Sequence, residues 1–294
     1  MSSDTTPART VDKSTPREIR RRRRSIIKST VAWVLAACYI FPVYWMLVTS
    51  LKTKGETFSQ PPHFLPHEVT WDSYRAALSP QYGVGIALTN SLIIATGTLL
   101  LTLVIAVPAA YSVARFRTGC STGMLVMLTV VQLLPAIAIS IPMFVIFRQA
   151  GLINSYISII LADVSVTLPF AVILLRPYFK QFPIDVEEAA RLDGLGTIGT
   201  IVRIVVPTIR PGIIMISSFA FLMAWGEFTY ALTLSTNQEI QPLTVALNRL
   251  IGQYGTNWND LMAVATLIAA PALILFIALQ RYIVAGLAGG ATKG

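Results

Sequence analysis

Residues Glu188–Gly194 read EAARLDG, and nine residues later Ile204–Pro207 read IVVP. This stretch is polar and lies between two strongly apolar segments. Acidic residues favour the first turn of a helix and glycine favours its C-terminal stop, so the stretch predicts a short helix. Its two adjacent alanines would leave a flat side that another protein can approach closely. The pattern therefore predicts a polar docking helix between two membrane spans.

The polar loop around this helix runs from about residue 179 to residue 211. Pro183 has its φ angle pre-set for a helix start. Glu187 and Arg191 are four residues apart, a spacing that predicts an ion pair worth about 0.3 kcal/mol. A second short helix is predicted over residues 197–205, ending before the proline of IVVP. A loop of this kind, tethered at both ends to membrane helices, can transmit a push.

The composition predicts an all-α, polytopic membrane protein. Of the 294 residues, 54% are hydrophobic and 13% are charged, whereas soluble domains carry about 25% charged residues. Six apolar segments each have about 22 or more residues, or roughly 33 Å of helix, which is enough to cross a bilayer. They are Ser29–Leu51, Gly85–Ala114, Met124–Phe147, Tyr156–Tyr178, Gly212–Leu234 and Leu261–Val284.

The distribution of basic residues predicts the orientation. The net charge is +9, and Arg20–Arg24 stand directly before the first apolar segment. With six spans, 18 of the 23 basic residues fall on the N-terminal side, so the positive-inside rule places both termini in the cytosol. Residues 1–28 are predicted to be a disordered basic tail. No aromatic-interleaved basic surface is present, so nucleic acid is not an expected partner.

Two acidic residues fall inside predicted spans, Asp163 in the fourth and Glu227 in the fifth. A charge at mid-bilayer costs roughly 2.5–3.5 kcal/mol, so each should face protein or water. They either line a transport path or gate, or make structural contacts between helices; Glu227 favours the path because aromatic residues surround it. The candidate path residues are Asn90, Gln132, Asp163, Trp225, Glu227 and Tyr230. For Asn90 and Gln132, interhelical hydrogen bonding is an equal alternative.

The sequence contains no G-x-x-x-x-G-K-[ST] phosphate-binding loop, so the chain is not expected to be an ATPase itself. Its two histidines, His63 and His67, predict neither a catalytic arrangement nor a metal site, and Cys38 and Cys120 predict no metal site either. Two long outer connections, residues 52–84 and 235–260, fit a contact with a partner or a sugar, and equally a plain solvated loop.

Taken together, these motifs resemble the integral membrane permease subunit of a binding-protein-dependent ABC importer, in the carbohydrate branch typified by the second maltose permease subunit. The branch's loop motif, E-A-A, three residues, G, nine residues, I-x-L-P, is matched at Glu188, Ala189, Ala190, Gly194, Ile204 and Pro207, with Val206 in place of leucine. Gln280–Gly294 resembles the branch's glycine-rich ending. One departure is Gly226, where members often carry asparagine. The resemblance covers about residues 30–294.

The resemblance implies a type I importer permease with six transmembrane helices in the bacterial cytoplasmic membrane. It divides the chain into the tail (1–28), a first helix with its outer loop (29–84), a permease core (85–284) containing the docking loop 179–211, and a cytosolic C-terminal tail (285–294). Partners would be a second permease subunit, two ATPase subunits that bind ATP and Mg, and an extracytoplasmic sugar-binding protein. This chain would hold no cofactor and catalyse no reaction itself.

The same resemblance assigns two sets of contact residues. The docking loop, over residues 183–207, would reach the ATPase through Glu188, Ala189, Ala190, Asp193, Gly194, Ile204 and Pro207. The tail would reach the ATPase interface through Gln280, Gly286 and Lys293. Two rival hypotheses stay open from the residues alone. One is an ion-coupled secondary transporter using Asp163 and Glu227, and the other is a membrane scaffold or receptor.

Overall fold

The computed structural model describes residues 16–80, 82–115, 119–252 and 255–291, and these residues are mostly helical. The helices are α1 (Pro16–Ser50), α2 (Lys54–Thr57), α3 (Asp72–Leu78), α4 (Val84–Arg115), α5 (Gly119–Val131), α6 (Ala136–Gln149), α7 (Tyr156–Gln181), α8 (Ile184–Leu192), α9 (Thr197–Thr200), α10 (Val206–Thr208), α11 (Arg210–Trp225), α12 (Thr229–Leu234), α13 (Leu243–Arg249) and α14 (Trp258–Ala291). A π-helical turn, Ile201–Val205, joins α9 to α10, and a 3₁₀ turn, Gln238–Ile240, precedes α13. Strands β1 (Ile251–Gly252) and β2 (Gly255–Thr256) pair as a short antiparallel ribbon.

Four of these helices, α1, α4, α7 and α14, are long and apolar enough to cross a membrane, and two bent pairs raise the total to as many as six in the described residues. The predicted third span is bent by 97° between α5 and α6, before Pro135. The second bent pair joins the α9–α10 segment to α11 at 87°. Prolines and unwound residues at such breaks are tolerated in a bundle where neighbouring helices satisfy the freed backbone groups.

Two predicted boundaries differ from the structure. Helix α1 begins at Pro16, so residues 16–28 of the predicted disordered tail are helical. Arginine is a good helix former, and the basic run continues without a break into the apolar segment. At the other end α14 continues through the predicted tail as far as Ala291.

The centre of the fold is the close packing of α4, α7 and α11. A Cβ atom on Gly97 would lie 2.6 Å from Ile160, and one on Gly212 would lie 2.8 Å from the Tyr178 ring. Small residues let transmembrane helices approach closely, so these glycines set the helix spacing. Thr102 and Thr167 share a buried hydrogen bond of 2.8 Å between α4 and α7.

An apolar cluster beside the docking loop ties this loop to these helices. Val205 is fully buried, and Ile201 and Ile209 are nearly so, in one cluster with Leu175 and Phe179 of α7. The loop is therefore anchored to the bundle by apolar burial at its second half.

Candidate coupling site and transmembrane cavity

Helix α8 forms where the sequence predicts it. Pro183 is its N-cap, Asp185 and Glu187 lie in its first turn, and Asp193 is its C-cap. Gly194 adopts φ +88°, a conformation that costs glycine little. The Leu195 N–H donates to the Ala190 carbonyl at 3.0 Å, which closes the helix end in a Schellman-type turn. The predicted helix and its glycine stop are confirmed.

The exposed face of α8 differs in part from the predicted one. Glu188, Ala189, Asp193 and Gly194 are exposed, but Ala190 is only 3% exposed. The flat exposed side therefore contains Ala189 alone, because the 100° helical step turns its neighbour toward the bundle.

Sequence reasoning missed an apolar component of this surface. Leu192 is 90% exposed and Ile198 is 78% exposed, and Ile184, Val186 and Val202 are exposed as well. Apolar side chains clustered on a polar loop mark an interaction surface. We call the exposed residues Glu188, Ala189, Leu192, Asp193 and Ile198 the coupling knob. Leu192 and Ile198 were not predicted to form part of a surface, because the loop around them is mostly polar.

A buried ion pair connects α8 to the end of α4. The Glu187 carboxylate is 2% exposed and forms a salt bridge with the Arg115 guanidinium, in which Arg115 Nε donates to Oε1 at 2.9 Å. The Tyr111 hydroxyl donates to Oε2 at 2.7 Å, and Arg115 Nη2 also donates to the Phe182 carbonyl at 2.9 Å. We call Tyr111, Arg115 and Glu187 the latch.

The latch replaces the ion pair predicted within α8. Arg191 does not pair with Glu187; its guanidinium reaches only the Tyr111 hydroxyl, at 3.5 Å. The Glu187 side chain points into the bundle, where Arg115 offers a two-donor, charge-assisted contact that an exposed arginine on the same helix cannot match. The predicted Glu187–Arg191 pair is wrong for this reason.

The second half of the motif, Ile204–Pro207, contributes more to the apolar anchoring of the docking loop than to its exposed surface. Ile204 is half-buried against the core, and Pro207 is exposed within α10. The second helix continues past the predicted end at residue 205, through the π turn to Thr208. Proline is accommodated there because it occupies the first turn of a new helix.

A cavity of about 390 Å³ lies among α6, α7 and the junction of α11 with α12. Its polar lining groups include Asp163, Thr167, Glu227 and Tyr230. Asp163 is 2% exposed, and neither of its carboxylate oxygens has a hydrogen-bond partner among the described residues; the same holds for the Tyr230 hydroxyl. Buried polar atoms without partners are rare and mark sites that bind water, ions or ligands.

Glu227 lies at a helix break and not inside a continuous span. Helix α11 ends at Trp225, and the Glu227 carboxylate accepts hydrogen bonds from the backbone N–H groups of Tyr230, at 2.8 Å, and Ala231, at 3.0 Å. It therefore satisfies the free N–H groups at the start of α12. The predicted fifth span, Gly212–Leu234, is interrupted at this point, since Gly226 is the C-cap of α11 and the Glu227 carboxylate accepts hydrogen bonds from the first turn of α12.

The other predicted path residues have different surroundings. Asn90 is buried outside the cavity, where its amide donates to the Glu239 and Gln241 carbonyls and accepts from the Tyr156 hydroxyl. Trp225 is buried against Phe221 and donates to the Ile268 carbonyl at 2.9 Å. Neither lines this cavity, and their role in the path stays a prediction.

Gln132 lines an adjoining cavity of about 280 Å³, which it shares with Tyr230, and its amide donates to the Val166 carbonyl. Among the predicted tail contacts, Gln280 is an exposed residue of α14 and Gly286 lies within the same helix. Lys293 lies outside the described residues.

The chain matches the family of binding-protein-dependent transport system inner membrane components over residues 103–289, and it belongs to that family. It is thus a permease, a non-catalytic membrane subunit of an ABC importer.

Particular relatives are permeases of carbohydrate systems. The chain is 33% identical to the diacetylchitobiose uptake system permease protein DasC of Streptomyces coelicolor, over 90% of this chain and 96% of the relative. It is 32% identical to the sulfoquinovosyl glycerol transport system permease protein SmoH of Agrobacterium fabrum, over 91% and 94%. A bacterial ABC transporter involved in the import of the acidic polysaccharide alginate has the same fold, with a TM-score of 0.77, 20% identity, and 89% and 96% of the two chains covered.

Proposed function

We propose that this chain is one of two permease subunits of an ATP-driven importer for a carbohydrate, an oligosaccharide or glycoside that an extracytoplasmic binding protein delivers. The carbohydrate assignment is supported by relatives whose systems take up diacetylchitobiose and sulfoquinovosyl glycerol. The chain forms half of the transmembrane path, with both termini in the cytosol. ATP and Mg bind to two partner ATPase subunits.

The observation that carries the coupling role is the coupling knob itself. Glu188 offers an exposed carboxylate for a basic residue of the ATPase, and Leu192 and Ile198 offer apolar area for a cleft. The latch and the Val205 anchor fix the same loop to α4 and α7. Movement of the ATPase subunits therefore reaches the bundle through two attachments on either side of Gly194.

The cavity at Asp163 supplies the proposed path. Partnerless Asp163 and Tyr230 oxygens can exchange hydrogen bonds with sugar hydroxyls or water, while Met223 and Phe228 supply apolar wall. The break between α11 and α12 exposes backbone groups at membrane depth, which is tolerated where the backbone lines a cavity. Glu227 holds that break in place through its helix cap.

The test is to purify the tagged chain from the cells that produce it, with a solubilising detergent, and to identify co-purifying subunits and bound sugar by mass spectrometry. The proposal predicts a second permease, an ATPase and a carbohydrate-dependent association with a binding protein. It predicts that Leu192→Asp abolishes recovery of the ATPase. Leu78→Asp is the matched control, since Leu78 is also exposed but lies at the other end of the bundle. Uptake by the chain alone, in vesicles without ATP, would instead establish the secondary transporter.

A further inference from the structure

Glu56, His63 and His67 form a cluster on the outer loop. The sequence did not predict this cluster, because their spacing over eleven positions matches no metal-binding motif. One donor atom from each residue lies within 4.8 Å of the donors of the other two. Glu56 Oε1 lies 3.0 Å from His67 Nδ1 and 3.5 Å from His63 Nδ1. The two imidazole rings are neighbours, with centroids 4.1 Å apart and planes tilted by 54°.

The two Glu56–histidine distances are close to the edge of a metal coordination tetrahedron. Ligands placed about 2.0–2.1 Å from Zn²⁺ in tetrahedral geometry are separated by roughly 3.4 Å. The two Glu56–histidine distances fall on either side of this value. Two imidazoles and one carboxylate are a donor set that favours Zn²⁺ and related transition metals over Ca²⁺ or Mg²⁺.

The donors are held in position before any ion arrives. Helix α2 carries Glu56 and is capped by Thr53, and the Glu56 carboxylate is 8% exposed. The His63 carbonyl accepts a hydrogen bond from buried Lys52, which fixes the following turn. His63 Nδ1 is buried and has no hydrogen-bond partner among the described residues. An imidazole nitrogen left free beside a carboxylate is an open ligand position.

The Lys52 ammonium does not occupy the site. Lys52 directs its ammonium toward the His63 carbonyl and the face of Trp45, 4.6 Å from the ring centroid. His67 is 67% exposed, which leaves an entry route for an ion from solvent and a place for a water as the fourth ligand. Metal binding would replace the direct 3.0 Å contact between His67 Nδ1 and Glu56 Oε1, an oxygen that also accepts a hydrogen bond from the His67 backbone N–H at 2.9 Å.

We propose that Glu56, His63 and His67 bind one Zn²⁺ ion. The cluster lies between the end of α1 and the start of α4, whereas the latch lies at the other end of α4, about 48 Å away along a helix of 32 residues. The site is thus on the face opposite the coupling knob. The ion would join α2 to the proline-containing loop that follows it, and this inference does not depend on which substrate the permease carries.

The experiment uses the full-length chain in detergent, purified without a polyhistidine tag, treated with chelator, and with Cys38 and Cys120 replaced by serine. Zn²⁺ is titrated in competition with a chromophoric chelator. One equivalent should bind to the parent chain, and at least about tenfold more weakly to the double variant His63→Ala, His67→Ala. Glu68→Gln is the control: Glu68 is the exposed neighbour of His67, and its loss should leave binding unchanged.

Glu56→Gln keeps the size of the side chain and removes the anionic ligand, so it guards against a variant that simply misfolds. Bound Co²⁺ should give the intense visible absorption of a four-coordinate site in the parent chain and lose it in Glu56→Gln. Absence of stoichiometric Zn²⁺ binding to the parent chain would overturn the proposal. Equal binding by the parent and the double variant would overturn it as well.

Discussion

Replacing Glu187 with alanine removes the acceptor on which the latch depends. Arg115 would then lose two charge-assisted contacts while its side chain stays only 13% exposed, and the Tyr111 hydroxyl would lose its partner. Removing one partner of a buried ion pair costs about 3–5 kcal/mol. Arg115 retains the Phe182 carbonyl, so the low end, about 3 kcal/mol, applies to the docking of α8.

A loss of about 3 kcal/mol raises the undocked population roughly 150-fold, since 1.4 kcal/mol is a factor of ten. Hydrogen exchange of a peptide covering residues 184–195 should quicken accordingly wherever exchange proceeds through this local opening. Peptides from the centre of α7 should keep their rates.

Glu188→Ala is the matched control, because Glu188 is the next residue and is exposed. In the isolated chain it should leave the exchange of α8 unchanged, yet in the complex it should weaken the ATPase contact. Glu187→Ala should do the reverse: the ATPase still binds, but ATP hydrolysis no longer drives uptake. An α8 exchange rate within about threefold of the parent in Glu187→Ala would refute the reasoning from the latch.

Three further predictions concern other parts of the chain. Gly194→Ala places a Cβ at φ +88° and should reduce ATP-dependent uptake. The control Gly151→Ala, at φ +69° and equally open, carries the same strain of about 1 kcal/mol and should leave coupling intact. Equal loss of uptake in both variants would contradict the coupling role of Gly194. Asp163→Asn replaces the buried carboxyl group with an amide of nearly the same volume, so uptake should fall at least about tenfold while the thermal midpoint does not fall. Unchanged uptake would make the carboxyl group purely structural. Asn259→Ala removes the side-chain amide that donates to the Thr49 and Lys52 carbonyls and to the Thr57 hydroxyl. This change should destabilise the purified chain by about 2 kcal/mol in thermal unfolding. Asn248→Ala, at an exposed position, is the control and should not.

Periodicity and composition predicted most of the helical architecture, because spans and caps are local properties. Helix α8 and its glycine stop both follow from residues within a few positions of one another. The bends were not predictable in the same way. Whether an apolar run continues through Pro135 or breaks at Gly226 depends on which neighbouring helix can satisfy the freed backbone groups.

For the candidate sites, the sequence predicted individual residues but not the partners that they contact. The motif identified Glu188 and Gly194, but the role of Glu187 depends on Arg115, which is 72 positions away in sequence. Likewise the sequence predicted Asn90 and Trp225 as path residues, but it did not predict their hydrogen-bond partners on distant segments. A polar residue inside a span indicates that it has a polar partner. The sequence alone does not say whether this partner is protein or substrate.

The central claim is that the coupling knob meets an ATPase in the cytosol. Ala189→Cys, in a chain whose Cys38 and Cys120 are serine, places a single thiol on the exposed face of α8. A membrane-impermeant maleimide should label it only from the cytosolic side, and bound ATPase subunits should protect it, while Glu68→Cys on the outer loop should label only from outside. Labelling of position 189 from outside, or unchanged labelling in the assembled complex, would contradict the account.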